Sequence, residues 1–418
     1  MIGLAALAAT LVVYTLVAGR LDRWSISAAM VFVVAGGIIG PTGLDLVHVP
    51  VGNEAIRTIA ELTLAILLFA DASTVALRAV QGDLRLPARL LFIGLPLTIV
   101  AGALAARLLF PDTGWAAAAL IASILAPTDA ALGLGIFTDR SVPVRIRRAL
   151  NVESGLNDGI ATPFVTLFLA IVIAEGGTGT PDWAVAAAVD IGIAIAVAIV
   201  VGVGGARLLL RADDRGWSTA SSEEFSVLAL ALLSYALAIA LSGNGFVAAF
   251  LAGIIFGART KHAFTEPTAF TERVGLLASF VVWGIFGGLF AAPILAEGIH
   301  LEPVAYAVIS LTIVRMAPVA IALIGAKFDR ATVAFMGWFG PRGLASVVFM
   351  LIAFEDLEAR GSADLLVEVA TWTILLSIFL HGLSARPWAA AYGRHVSAEG
   401  GEAPERLEAS EPKVRRSL

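Results

Sequence analysis

Thirteen apolar runs, each close to the length that crosses a lipid hydrocarbon core, take up most of this sequence and leave it one class of fold. A core about 30 Å thick needs roughly 20 apolar residues per helix. Such runs lie near 2–19, 25–40, 56–77, 88–110, 115–137, 147–174, 183–210, 223–241, 245–258, 272–293, 303–325, 331–353 and 364–385. Only 15% of the 418 residues are charged and 59% are hydrophobic, too few polar groups to clothe a soluble globule of this size. The excess apolar surface faces lipid, so the expected fold is an all-α polytopic membrane protein. A single transmembrane domain is expected over 1–386 and a short disordered cytoplasmic tail over 387–418, where glycine, acids and bases alternate.

The basic residues test this map independently, because Lys and Arg accumulate in cytoplasmic loops. One side collects Arg20 and Arg23; Arg78, Arg85 and Arg89; Arg140, Arg145, Arg147 and Arg148; Arg207, Arg211 and Arg215; Arg259, Lys261 and Arg273; Lys327 and Arg330; then Arg386 and Arg394. The opposite loops hold Arg57, Arg107 and Arg360 as exceptions. An odd number of spans then starts outside and ends inside. The first run lacks a basic segment before it, so it reads as a retained span and not a cleaved signal. Cysteine is absent, which removes disulfides and thiolate metal sites.

Ionisable residues deep in a bilayer cost several kcal/mol unless paired or hydrated, so each needs a reason. The fifth span carries Ala126-Pro127-Thr128-Asp129, where proline removes a backbone donor and opens the helix. The sixth carries Glu153, Ser154, Asn157 and Asp158, and Asp158 lies eleven residues past Arg147, about 16 Å along the helix. The eleventh holds Arg315, the twelfth Gly340-Pro341-Arg342-Gly343, and the third Asp71. Residues four apart share a helix face, so Ser154 and Asp158 form one stripe and Glu153 and Asn157 the next. A hydroxyl beside a carboxylate is a hard oxygen pair suited to a small dehydrated cation. The Glu153 stripe is placed to accept Arg315 as a fixed, neutral pair.

The interruptions fall in corresponding places. With spans one to six and eight to thirteen taken as halves, each half breaks in its fifth member, and the basic loops make the halves inverted six-helix repeats. Interrupted helices at matching positions of an inverted repeat point to a transport site at the midplane.

On these residues the chain resembles the sodium/proton exchangers of the NhaP-like cation:proton antiporter branch. The likeness rests on Ala-Pro-Thr-Asp at 126–129 and Glu-Ser-x-x-Asn-Asp at 153–158, with Leu-Leu-Phe-x-Asp at 67–71, Gly-Phe-Val-Ala-Ala-Phe-Leu-Ala-Gly at 245–253, Arg315 and Gly-Pro-Arg-Gly at 340–343. The resemblance implies a homodimer with a dimerising scaffold and a mobile core holding crossed, broken fifth and twelfth helices. It implies that Asp158 and Ser154 bind the cation, with the Thr128 backbone and Asp129 lining the site and Asp71 in the acidic region of the third helix. It makes Glu153 with Arg315 a structural ion pair, and Asn157 and Arg342 supports. Ala130 departs from the family, where proline is frequent at that position.

The blander readings stand beside these. A buried acid can simply hold helices together. Gly36 and Gly40, and Gly202 to Gly205, read as close helix packing. Trp24, Trp115, Trp183 and Trp388 read as interfacial anchors. His48, His262 and His300 fall in loops, and His381 reads as a polar contact, with pH sensing as the alternative. The expected function is exchange of Na+ or Li+ for a proton, with K+/H+ exchange as the alternative within the class and a channel or sensor as the alternative outside it. No cofactor, nucleic acid or covalent chemistry is implied, since Gly-x-Gly-Asp, His-Glu-x-x-His and Gly-x-Ser-x-Gly are all absent. Exchange is expected to be electroneutral, because Asn157 does not titrate and an arginine, unlike a lysine, does not release a proton in the cycle.

Overall fold

The computed structural model describes residues 2–47, 53–79, 85–175, 183–261, 263–358, 363–399 and 405. His48, His262, Arg360 and residues 400–404 and 406–418 lie outside them. In chain order the helices are α1 (Ile2–Arg23), α2 (Ala28–Ile39), α3 (Glu54–Ala79), α4 (Arg85–Arg89), a π turn (Leu90–Gly94), α5 (Leu95–Leu109), α6 (Trp115–Ile124), a 3-10 turn (Ala130–Gly133) and α7 (Leu134–Thr138). Then follow α8 (Val144–Glu175), α9 (Trp183–Asp214), α10 (Ala220–Ala240), α11 (Gly245–Thr260), α12 (Thr265–Phe286), a second π turn (Gly287–Ala291) and α13 (Ala292–Glu297). The last are α14 (Leu301–Leu311), α15 (Ile313–Ala322), α16 (Arg330–Trp338), α17 (Leu344–Glu358) and α18 (Asp364–Glu399). Among the described residues, eight helical stretches are long and apolar enough to cross a bilayer, and three shorter apolar helices join them. The protein is an all-helical, multi-pass membrane protein. Its breaks fall where the fifth and twelfth spans place them, between α6 and α7 and between α16 and α17.

Two features differ from the sequence reading. The eleventh span parts at Thr312, between α14 and α15, where the Thr312 hydroxyl donates to Val308 O at 2.6 Å and bends the helix. The expected boundary at 386/387 is not a boundary, and residues 387–399 are not a disordered tail: α18 runs unbroken to Glu399. The reason is a buried stripe at helical spacing, Ala385, Ala389, Tyr392 and Val396, that packs onto Phe335, Phe339 and Ile146. Tyr392 stacks on Phe335 with ring centroids 4.2 Å apart.

The chain divides into two compact units. The first comprises Met1–Arg57, Asp83–Ser154 and Phe280–Leu418. Small residues bring its helices close: a side chain at Gly36 would meet the backbone of Gly284, and one at Gly287 the backbone of Val33. Phe32 and Phe280 stack 4.6 Å apart beside Tyr14. Arg147, read from sequence as a loop cation, is buried and donates to Phe137 O (3.1 Å) and Val142 O (2.9 Å), closing the C-terminal end of α7.

The second unit comprises Thr58–Gly82 and Gly155–Ser279. Here the glycine-rich 245–253 stretch has a packing explanation, because Gly253 lies against the backbone of Phe69 on α3. Asn244 starts α11 by accepting from Val247 N at 3.0 Å. Tyr235 donates to Glu61 at 2.6 Å, tying α10 to α3.

Candidate cation site

Proline cannot donate a backbone hydrogen bond, and both breaks are built around one, Pro127 and Pro341. The opened segments join directly: Asp129 N donates to Pro341 O at 2.8 Å. Each break creates a new helix C-terminus and a new N-terminus inside the unit, with carbonyls and amides that need partners.

Two charged side chains supply them. Asp129 accepts from Ala131 N (2.7 Å) through one oxygen and from Leu344 N (3.2 Å) through the other, so one carboxylate serves the starts of both second half-helices. Arg342 donates to Ala126 O (3.4 Å) and Gly340 O (3.0 Å), just past the ends of α6 and α16, and reaches Ser310 O at 3.5 Å. An anion at helix N-termini and a cation at C-termini is the arrangement that complements the half-helix dipoles. Glycine is needed on either side of this pair. A side chain at Gly343 would fall on the Asp129 carboxyl, and one at Gly340 on the Arg315 guanidinium. Ser346 adds a hydroxyl to Ile124 O at 2.7 Å.

Glu153 and Arg315 form a bidentate bridge at 2.6 and 3.0 Å with both side chains 3% exposed. One residue on, the Ser154 hydroxyl meets that of Thr128 at 3.0 Å, and both are buried. The structure therefore brings Thr128, Asp129, Glu153, Ser154, Arg315 and Arg342 together in the first unit. Asn157 and Asp158 follow on α8 within the second unit, Asn157 buried and Asp158 half-buried. The Thr162 hydroxyl donates to Asp158 O at 2.9 Å. Asp71 sits half-buried on α3 of the second unit, where the Thr74 hydroxyl donates to its carbonyl at 2.8 Å.

Chemically, the first unit offers paired hydroxyl oxygens at a neutralised helix crossing. Hydroxyl oxygens are hard donors of the kind that suit a hard cation. A sequence profile described as sodium/hydrogen exchanger, transmembrane, matches residues 6–391. The chain belongs to that family. Among curated relatives in the family, a K(+)/H(+) antiporter NhaP of Alkalimonas amylolytica is 26% identical over 394 residues, covering 93% of this chain and 66% of the relative. A low-affinity Na(+)/H(+) antiporter NhaS1 of Synechocystis is 23% identical over 297 residues, covering 66% of this chain and 55% of the relative. A K(+)/H(+) antiporter NhaP2 of Shewanella oneidensis is covered over 49% of its length. The chain thus spans between about half and two thirds of these relatives. The fold matches the sodium proton antiporter MjNhaP1 of Methanocaldococcus jannaschii with a TM-score of 0.74 at 21% identity, over 94% of this chain and 99% of that one.

Sequence reasoning took His381 of α18 as a polar contact without its partners and missed Ser377 and Ser384 beside it. Ser377 accepts from Arg342 N at 2.6 Å, and His381 Nε2 lies 2.9 Å from Trp338 O. A signal was present: Ser377, His381 and Ser384 recur at helical spacing on one face of an otherwise apolar span.

Proposed function

We propose that this protein is a secondary antiporter that exchanges a monovalent cation, Na+ or Li+, for a proton, one for one. Asp158 takes the two in turn, and Ser154, a turn before it on α8, supplies a hydroxyl oxygen to the cation. The observation that carries the reading is the crossing itself. Its opened backbone is neutralised by Asp129 and Arg342, and its Thr128 hydroxyl bonds to Ser154. A charge-compensated crossing can stand in for a cation's water without covalent chemistry. Both oxygens of Asp129 already serve backbone amides, and Glu153 is held by Arg315, so the exchanging role is assigned to Asp158 alone and the cycle is electroneutral. K+ is the second reading, favoured by the K(+)/H(+) names of the NhaP and NhaP2 relatives.

The test is proton movement in proteoliposomes, read with a pH dye and titrated separately with Na+, Li+ and K+. Saturable proton flux driven by Na+ or Li+ is expected, abolished in Asp158→Asn. The final proton gradient should be the same at zero and at an imposed −100 mV, a potential worth about 2.3 kcal/mol per net charge moved. Flux in Asp158→Asn would remove that residue from the mechanism, and a voltage-dependent end point would refute one-for-one exchange. Response to K+ alone would select the second reading.

A further inference from the structure

The break between α16 and α17 is held from outside by a third helix. α18 turns Ser377 and His381 towards it, four residues apart on one face. His381 is 1% exposed, and its Nε2 lies 2.9 Å from Trp338 O, the carbonyl of the last residue of α16. Its Nδ1 faces a second carbonyl, that of Ser377, at 3.0 Å. The Ser377 hydroxyl stands 3.3 Å from the same nitrogen. That hydroxyl accepts from Arg342 N at 2.6 Å. Ser377 and His381 thus link the Arg342 amide to Trp338 O: Arg342 N donates to the Ser377 hydroxyl, Ser377 meets His381 Nδ1, and His381 Nε2 meets Trp338 O.

This chain ties the carbonyl of the last residue of α16 to the Arg342 amide within the break. Its geometry is fixed further by the Trp338 ring, which stacks on the imidazole at 4.8 Å and donates through Nε1 to Ser384 at 3.0 Å. Arg342 is the residue whose side chain closes the ends of both first half-helices, and Pro341, just before it, accepts from Asp129 N. A shift of the Arg342 backbone would therefore move both charged caps of the crossing.

We propose that His381 and Ser377 are positioning residues, which set the width of the broken twelfth helix and through it the affinity for the transported cation. The proposal rests on the reading that the cation is bound at the helix crossing. Without the chain the break is still formed but its carbonyls are no longer held at one spacing, so binding suffers more than turnover.

The test compares His381→Ala, His381→Gln and Ser377→Ala in proteoliposomes, normalised to monodisperse protein, reading the apparent KM for the cation and the maximal rate separately. Losing one hydrogen bond of this kind corresponds to a rise in KM of about fivefold for His381→Ala and for Ser377→Ala, with the maximal rate changed much less. Because both act in one chain, the double variant should be no worse than either single one. His381→Gln restores a donor to Trp338 O and should bring KM most of the way back. If His381→Ala does not fold, Ser377→Ala and His381→Gln carry the same test. An unchanged KM in Ser377→Ala and His381→Ala, with only the yield of folded protein lowered, overturns the proposal, as does a glutamine variant as impaired as the alanine. Those failures leave Asp158→Asn inactive. Exchange surviving in Asp158→Asn would instead show that the site reading beneath the proposal is wrong.

Discussion

Removing the charge of Glu153 discriminates most sharply between a structural and a ligand role for a buried acid. Its carboxylate meets Arg315 at 2.6 and 3.0 Å, and each side chain is 3% exposed. Two opposing terms decide the outcome. Burying both charges costs several kcal/mol each, and their mutual attraction with two charge-assisted hydrogen bonds offsets this. Glu153→Gln leaves the first cost on Arg315 and removes most of the second term. Breaking such a pair costs about 3–5 kcal/mol. The glutamine keeps one acceptor oxygen, so the lower end is expected, which is still about a hundredfold in the folding equilibrium. Replacing both partners by apolar residues of similar length, Glu153→Leu with Arg315→Met, removes both burial costs together and should be clearly less damaging than the sum of the single changes. The assay is denaturant unfolding in mild detergent, followed by tryptophan fluorescence for wild type, both singles and the double. Glu153→Gln within about 1 kcal/mol of wild type, or a double variant equal to the sum of its parts, would refute the argument. If stability held and only cation affinity fell, Glu153 would be a ligand and not a strut.

Two further outcomes follow from the crossing and from the start of α16. Gly343→Ala should destabilise by about 2–4 kcal/mol, combining overpacking against Asp129 with loss of the Leu344 cap, whereas Gly204→Ala, which meets nothing within 4 Å, should be neutral or mildly stabilising; equal unfolding midpoints would count against the close approach. Asp329 caps α16 through Thr332 N at 2.7 Å, and although burial alone would raise its carboxyl, the Thr332 and His395 hydrogen bonds hold it below the usual 3.8. A depressed carboxyl stabilises fully above its unfolded value and loses that contribution as pH falls through its folded one. In a His395→Gln background, the stability gap between Asp329 and Asp329→Ala should therefore be flat from about pH 8 to 5 and close only in the acid range below; a gap already shrinking near neutrality would contradict the assignment.

The span pattern was legible because lipid imposes it locally. A run of about 20 apolar residues reports its own fate whatever lies around it. The breaks at Pro127 and Pro341 were legible for the same reason, since a missing N–H disrupts the helix that contains it. The partnership of Glu153 with Arg315 could be anticipated from the cost of leaving either charge alone in the bilayer. Other features depend on partners far away in sequence. The role of Asp129 as a cap to both second half-helices shows only once the amide of Leu344, 215 residues on, is seen to share it with Ala131. Arg147 reads as a loop cation until Phe137 O and Val142 O are found beside it. The polar composition of 387–399 suggests disorder, yet its apolar residues fall on one stripe whose value depends on Phe335 being there to receive it.

By itself, then, the sequence determined that the chain crosses a membrane many times, where two of its helices must open, and which acids and bases lie deep enough to need a purpose. Only the tertiary structure decided which partners some of these groups meet: that Asp129 and Arg342 serve opposite ends of both broken helices, that Ser377 and His381 bridge one of them, and that α18 continues past its expected end. The physical reason is that periodicity and hydropathy act over one turn or one span, whereas satisfying a buried amide, carbonyl or charge depends on whichever residue folding brings to it, and that residue has no fixed distance along the chain.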